Sequence, residues 1–378
     1  MRTPAEELAS LAEADLLREL RPVEILGGTY VGRDRTGHWN FASNDYLGLS
    51  QDESIRAAFH EGLDRFGHGA GASRLITGTQ PPHVAFEEAL AAAKGTESAL
   101  LFSSGFATAV GAIPAIVGKG DFVILDKLSH ACLIDGARLS GATLRVFPHN
   151  DLGKLESLLK SIRAKDAEAR ILVATESVFS MDGDLCPLEE IVNLKNTHDA
   201  LLLLDEAHGF GVLGPTGMGL AEETGQQAQI DFHMGTLSKA AGLSGAYLAC
   251  SAEWKGMLVN RARSFIFSTA PPPALAHAAS AALELIRSDG GKALRQRLQQ
   301  HISTLRPDGP PTPIVPKIFG SNAAALGASD ALAVEGFLVP AIRYPTVPRG
   351  TARLRISLSA QHPEDIVHRL NRQIARFS

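Results

Sequence analysis

ALLLLDEAH at residues 200–208 decides the fold of this 378-residue chain: four leucines run straight into an acid, with no polar alternation. A strand with one face in water alternates apolar and polar residues. A near-continuous apolar run instead marks a parallel strand covered on both faces by helices. The same signature recurs in SALLF (98–102), DFVIL (121–125), TLRVF (143–147) and ILVATE (171–176). Helical patterns separate these runs, and PHVAFEEALAAAKG (82–95) reads as a helix ending near Gly95. The alternation predicts a three-layer α/β sandwich with a mostly parallel central sheet over residues 45–270.

Outward from that core, Leu8, Leu11, Leu16, Leu17 and Leu20 mark one face of an N-terminal helix that Pro22 should end. Residues 1–44 are therefore expected to form a helix and an arm. At the other side, STAPPPALAHAA (268–279) puts three prolines before a long helix with Leu283, Leu285 and Ile286. RPDGPPTPIVP (306–316) is a Pro-rich connection, and RLRISLSA (353–360) belongs to a smaller α/β domain expected over 271–378.

Composition bounds the function. With 45% hydrophobic and 20% charged residues and a net charge of −5, nothing favours nucleic acid or an anionic membrane as partner. The N-terminus alternates acids with apolar residues, unlike a secretory signal. The most apolar interior stretch, Phe106–Val117, is broken by Gly111 and Pro114 and falls well short of the roughly 20 residues a spanning helix needs. Cys132, Cys186 and Cys250 are too scattered for a metal site and suit a reducing cytoplasm.

In open α/β sheets ligands gather at the carboxyl ends of the strands. SALLF leads into Ser103, Ser104, Gly105 and Phe106, a turn whose N–H groups can converge on an anion. DFVIL leads to His130, and ILVATE to Ser180, Asp182, Gly183 and Asp184. Taken singly these are a capped helix, an exposed histidine and a polar turn. Asp205, after four leucines, stands where a lone carboxylate is costly and needs a cationic partner, and His208 faces the same rim. DEAH is also the acidic box of a helicase-type ATPase, but neither Gly118-Lys119 nor Gly291-Lys292 completes the phosphate loop that such a motor requires.

TLSKAAG (236–242) supplies the cation. Lys239 sits among small, weakly polar neighbours, with Thr236 and Ser238 offering hydroxyls. An unperturbed lysine amine, with a pKa of about 10.4, is scarcely nucleophilic at neutral pH, so a desolvated setting suits one that condenses with an aldehyde. Together these pieces read as a site for pyridoxal 5′-phosphate (PLP): an aspartate for the ring nitrogen, a lysine for the aldehyde, hydroxyls and a Ser/Gly turn for the phosphate, and histidines by the ring.

The chain resembles the α-oxoamine synthases, fold type I PLP-dependent transferases that condense an amino acid with an acyl thioester. The resemblance rests on SNDYLGLS (43–50), GAGASRLITGT (69–79), LFSSGFAT (101–108), LSHACLIDGA (128–137), ESVFSMDGDLCPL (176–188), DEAHGFGVLG (205–214), GTLSKAAG (235–242) and FSTAPPP (267–273) in order. FPHND (147–151) and VPAIRYPTVPRGTARLRISLSA (339–360) resemble most the branch joining L-alanine to a pimeloyl thioester of CoA or acyl carrier protein, in biotin synthesis. Branches using glycine with acetyl- or succinyl-CoA, or serine with palmitoyl-CoA, stay open, as does a catalytically silent partner subunit.

The resemblance implies roles. Lys239 would bind the PLP aldehyde covalently and then move the proton, His130 would stack on the ring, Asp205 would hold the ring nitrogen protonated, and His208 would bond the ring hydroxyl. Ser104, Gly105, Phe106, Ser180 and Thr236 would complete cofactor binding. Thr269 would reach the phosphate of a neighbouring subunit in a homodimer with shared active sites. Asn44 and Arg355 would receive the alanine carboxylate, and Arg18 (with Arg21 competing) and Thr346 would contact substrate. Arg353 and Arg355 also read as alternate positions on one solvated strand face. Three departures stand out: Ala72 for glycine, Phe86 for leucine, and Met218 in GMG (217–219) for an arginine, removing a charge from the surface or the CoA side.

Overall fold

Seven strands make the central sheet in the spatial order Ser98–Phe102, Ala246–Cys250, Phe232–Thr236, Leu201–Asp205, Ile171–Glu176, Phe122–Asp126 and Thr143–Phe147. The last five run parallel to one another, while Ala246–Cys250 is antiparallel to both its neighbours. The computed structural model describes residues 3–33 and 36–377; of the expected terminal regions, positions 1, 2, 34, 35 and 378 lie outside that description. The apolar runs lie where both faces are covered, and Ile171–Glu176 is buried at every position. The edge strand Thr143–Phe147 pairs on one flank only and exposes Arg145 and Val146. Under the sheet, Leu100, Ile113, Leu125, Leu172, Leu203 and Phe232 belong to one apolar core.

Two helices carry site residues at their starts. Gly105–Ile116 is capped by Ser104, whose side chain accepts from the Ala107 amide, and Ala131–Ser140 is capped by His130. They pack closely because Gly136 has no side chain: a Cβ there would stand 2.7 Å from the Ala109 carbonyl oxygen. Helix Pro81–Lys94 stops at Gly95 in the left-handed conformation, where the sequence predicted its end.

The N-terminal helix corrects the sequence reading. It spans only Pro4–Glu13, with a Thr3–Glu6 capping box at its start. Pro22 is not the stop. Asp15 takes φ 55°, its amide donates to the Ala12 carbonyl and the Leu16 amide donates to that of Leu11. That pair of bonds is a Schellman termination, reached with an aspartate in the glycine position. None of the helix is buried, and Leu20 lies beyond it, fully exposed.

The chain divides into two compact units: one of Met1–Gly48, Met181–Gly183 and Gln296–Ser378, the other of Leu49–Ser180 and Asp184–Arg295. In the smaller, Phe337–Leu338 runs parallel to Thr36–Asn40, joining the arm and the C-terminal region in one sheet. A second sheet is formed by Ile314–Gly320, Ala352–Ser357 and Ala341–Ile342. The expected boundary at 270/271 is therefore displaced, and the helix Pro273–Arg287 belongs to the larger unit. The cause is close packing: Gly62, in helix Glu53–Phe66, lies so near Ala274 that a Cβ would meet its Cα at 2.9 Å. Among the described residues no helix is long and apolar enough to cross a membrane.

Candidate active site

Asp126, Glu176 and Asp205 are the last residues of three neighbouring parallel strands, and Glu176 is in register with Asp205. In-register neighbours project to the same face of a sheet, so two acids stand side by side at its carboxyl edge. Beyond them lies a cavity of about 250 Å³. Asp205, His208, Thr236 and Lys239 line it, together with Ser104, Gly105, Phe106 and His130. The larger unit thus brings eight of the sequence-predicted residues to one hollow.

Lys239 is held there by a 2.7 Å contact between its Nζ and His208 Nε2. As an ammonium, Nζ donates to an imidazole whose ring proton lies on Nδ1; as a free amine it can accept instead, so which group donates follows the tautomer. Asp205 is buried, and one of its oxygens accepts from the Ala207 amide at 2.9 Å. Burial raises its pKa, with the Lys239 charge and the Ala207 bond pulling the other way. Thr236 Oγ1 donates to the Gly245 carbonyl at 2.9 Å and accepts from the Ser238 amide at 3.1 Å, closing the loop that carries Lys239. Gly242, at φ 67°, lets that loop pass the backbone at residue 50, which a Cβ would meet at 2.2 Å.

Glu176, Cys132 and Met234 are among the lining residues that the sequence reading did not single out. Glu176 is fully enclosed, and one oxygen accepts from the His130 backbone N–H at 2.6 Å. Burial, then the charge of Asp205, pushes its pKa up to about 8. Its signal was present, since it ends an apolar run just as Asp205 does. Cys132 sits 3.0 Å from His130 Nδ1, and burial pushes its thiol far up, so it packs rather than reacts.

Ser180 and Thr269 do not line this cavity. Thr269 is exposed, forms a backbone bridge with Ser73, and borders a separate small hollow. In the smaller unit Arg355 Nη1 donates to Asn44 Oδ1 at 3.0 Å and to Ser357 Oγ at 2.7 Å. The solvated-face reading of Arg353 and Arg355 is corrected: both are buried, because Asp182 pairs with Arg353 and Asn44 and Ser357 occupy Arg355. Arg18 Nη2 donates to Thr346 Oγ1 at 3.2 Å beside a cavity of about 120 Å³ that Arg343 also lines. Arg21 pairs instead with Glu19. Met218 is buried and its carbonyl accepts from Lys94 Nζ at 2.6 Å, so the missing arginine charge does not belong to an exposed surface.

The donor set fits PLP. A buried carboxylate suits a protonated pyridine nitrogen, the amides at the start of Gly105–Ile116 suit a phosphate, and a held amine suits an aldehyde.

A family model described as aminotransferase class I and II matches residues 36–374. The chain is 47% identical over 385 residues to the 8-amino-7-oxononanoate synthase of Geobacter sulfurreducens, covering 100% of this chain and 98% of that protein. Among solved structures, serine palmitoyltransferase with a PLP internal aldimine superposes with a TM-score of 0.92 at 29% identity, covering 98% of this chain and 95% of that one. An 8-amino-7-oxononanoate synthase from Francisella tularensis gives a TM-score of 0.76 at 28% identity, covering 89% and 96%.

Proposed function

We propose one reaction for this chain, which belongs to the class I and II aminotransferase family and within it to the 8-amino-7-oxononanoate synthases: L-alanine and a pimeloyl thioester give 8-amino-7-oxononanoate, carbon dioxide and the free thiol. The observation that carries it is Lys239 held by His208 in the same cavity as buried Asp205. Bound PLP supplies an electron sink for the charge left at the alanine Cα. Asp205 would hold the proton on the pyridine nitrogen. Lys239 Nζ takes the alanine α-proton, and His208 Nε2 keeps that amine in the cavity. The amides following Ser104 and Gly105 would hold the phosphate, with Phe106 and Thr236 completing the grip; Ser180, outside the cavity lining, takes no part in it. His130, which lines the same cavity, would stack over the ring.

Arg355 receives the alanine carboxylate, which competes with Asn44 for the guanidinium fork. At Arg18, Thr346 and Arg343, two cations beside one small cavity suit the free carboxylate at the far end of a pimeloyl chain. Acetyl and palmitoyl donors carry no such group. Two further readings rest on the chain's own chemistry. Ile76 and Phe267 are 76% and 70% exposed, and the Ser73–Thr269 bridge joins their segments. This apolar rim supports a homodimer in which Thr269 serves the partner's phosphate. Three free, buried cysteines suit the cytoplasm.

The test is a panel of alanine, glycine and serine against pimeloyl, succinyl, acetyl and palmitoyl thioesters, read as thiol release by the PLP-loaded protein. Alanine with pimeloyl should lead. Preference for glycine would overturn the substrate assignment, and no release from any pair would overturn the chemistry.

A further inference from the structure

Glu176 is a buried carboxyl group of the cavity that the reaction above leaves without a task. We propose that it is a positioning residue, fixing the His130 imidazole over the cavity through the hydrogen bond its carboxyl oxygen accepts from the His130 backbone N–H. The inference rests on the proposed reading in taking His130 as the ring-stacking residue.

The geometry carries it. His130 is the N-cap of helix Ala131–Ser140, so its backbone is the hinge between a loop and a helix. The preceding loop is tied to the sheet by Asp126, whose side chain accepts from the Leu128 amide at 2.8 Å and whose carbonyl accepts from Ser129 at 3.1 Å. The next tie is Glu176, at 2.6 Å. On the helix side, His130 Nδ1 accepts from the Cys132 amide at 3.3 Å. The ring is thus set by its own N-cap bond, and the cap by the acid at the end of the adjacent strand. The residue as a whole remains exposed, and its ring meets the core at Cys132 Sγ, 3.0 Å from Nδ1.

Asp126, Asp205, Lys239, His130 and Cys132 are the ionisable groups around Glu176. Burial raises both acids, and a neutral Glu176 leaves Lys239 facing fewer negative charges than two ionised acids would supply. Either form offers an oxygen to the His130 amide, so the proposed bond survives titration.

Two variants separate positioning from charge. Glu176→Gln keeps an acceptor oxygen, whereas Glu176→Met keeps the length and removes it. In apoprotein, where neither PLP nor substrate matters, the His130 ring and amide resonances are assigned by their loss in His130→Asn. The proposal expects a slowly exchanging His130 amide in the native protein and a ring resonance retained in Glu176→Gln. In Glu176→Met that resonance should shift or broaden. In loaded enzyme kcat should fall by roughly ten- to a hundredfold in Glu176→Met, with the KM for the pimeloyl thioester little changed, and recover in Glu176→Gln. A His130 amide exchanging as fast as free loop amides in native protein would overturn the proposal, even if Glu176→Met did not fold. So would a His130 ring indifferent to Glu176→Met. A failed substrate panel with these apoprotein results intact would overturn the reaction and spare the bond.

Discussion

Asp205 and Glu176 lie side by side, yet they are asked for opposite states. Asp205 has Lys239 and the Ala207 amide to favour its anion, and a protonated pyridine would add the decisive partner. Asp205→Asn removes the anion while keeping the shape. We expect kcat to fall roughly 10²- to 10³-fold with the melting temperature held or raised, since a preorganised charge is lost and a desolvation cost with it. An unchanged kcat would detach Asp205 from the chemistry. Glu176 titrates near 8 in the folded chain against an ordinary 4.5. Between those values the folded state keeps a proton that the unfolded chain has released, so the group costs stability progressively as pH rises through the window. Relative to the native chain, Glu176→Gln should therefore gain unfolding free energy from pH 5 to 8 and then level off, on the order of a few kcal/mol, followed by denaturant titration at each pH. A difference that is flat with pH would contradict it. Asp205 and His208 were legible in the sequence because they follow an apolar run, where strand-end residues meet ligands, and Lys239 because it is a lone cation among small neighbours. Glu176 was passed over as the last letter of its strand. Its place at the end of an apolar run was a signal, and the register with Asp205 then shows that its side chain turns to the cavity.

Elements hold these residues by close approach and by charge. Helices Gly105–Ile116 and Ala131–Ser140 start at Ser104 and His130, and they touch where Gly136 faces the Ala109 carbonyl. Gly136→Val must push them apart. We expect a loss of roughly 1–3 kcal/mol in chemical denaturation together with weaker PLP retention on dialysis, because both capping residues shift. Full retention of PLP would mean the two starts are set independently. A second device joins loops at the strand ends: His149 Nδ1 lies 3.0 Å from Asp126 and Nε2 2.6 Å from Asp184. Burial alone would lower this imidazole, but the two carboxylates push it up to about 10. Its contribution is complete below pH 6.5 and disappears as pH climbs through 10. His149→Leu should cost roughly 2 kcal/mol at pH 7 and progressively less toward pH 10.5, followed by melting curves. A constant deficit would assign the loss to packing against Phe179, whose ring is 4.4 Å away. FPHND was visible in the sequence as a family mark only, since His149 meets Asp184 across 35 positions. The N-terminal helix misled for the converse reason: its leucine stripe looked like a buried face, and Asp15 ended it before Pro22 was reached.

At the scale of the molecule, what the sequence hides is interleaving. The smaller unit takes its strands from both ends of the chain and three residues, Met181–Gly183, from the middle. Those three are used fully: Asp182 pairs with Arg353, and Gly183, at φ 66°, lies so close to Ile314 that a Cβ would meet its carbonyl at 2.1 Å. Pairings of that separation leave no periodic trace, whereas the parallel strands of the larger unit announced themselves run by run. The apolar rim is likewise written in single letters. Scattered exposed apolar residues are ordinary on any protein surface. Ile76 and Phe267 differ because backbone bonds at Ser73–Thr269 and from Ala270 to Ala72 bring their segments together, making one patch from two distant stretches. If a second copy covers that patch, Ile76→Asp with Phe267→Asp should bury two uncompensated charges in the interface and halve the mass seen by light scattering, while the far-ultraviolet circular dichroism stays native. Activity should fall with the mass, since Thr269 could no longer reach a partner's phosphate, and should return on raising protein concentration. A native chain that is already monomeric, or a double variant that stays dimeric and active, would remove the shared site.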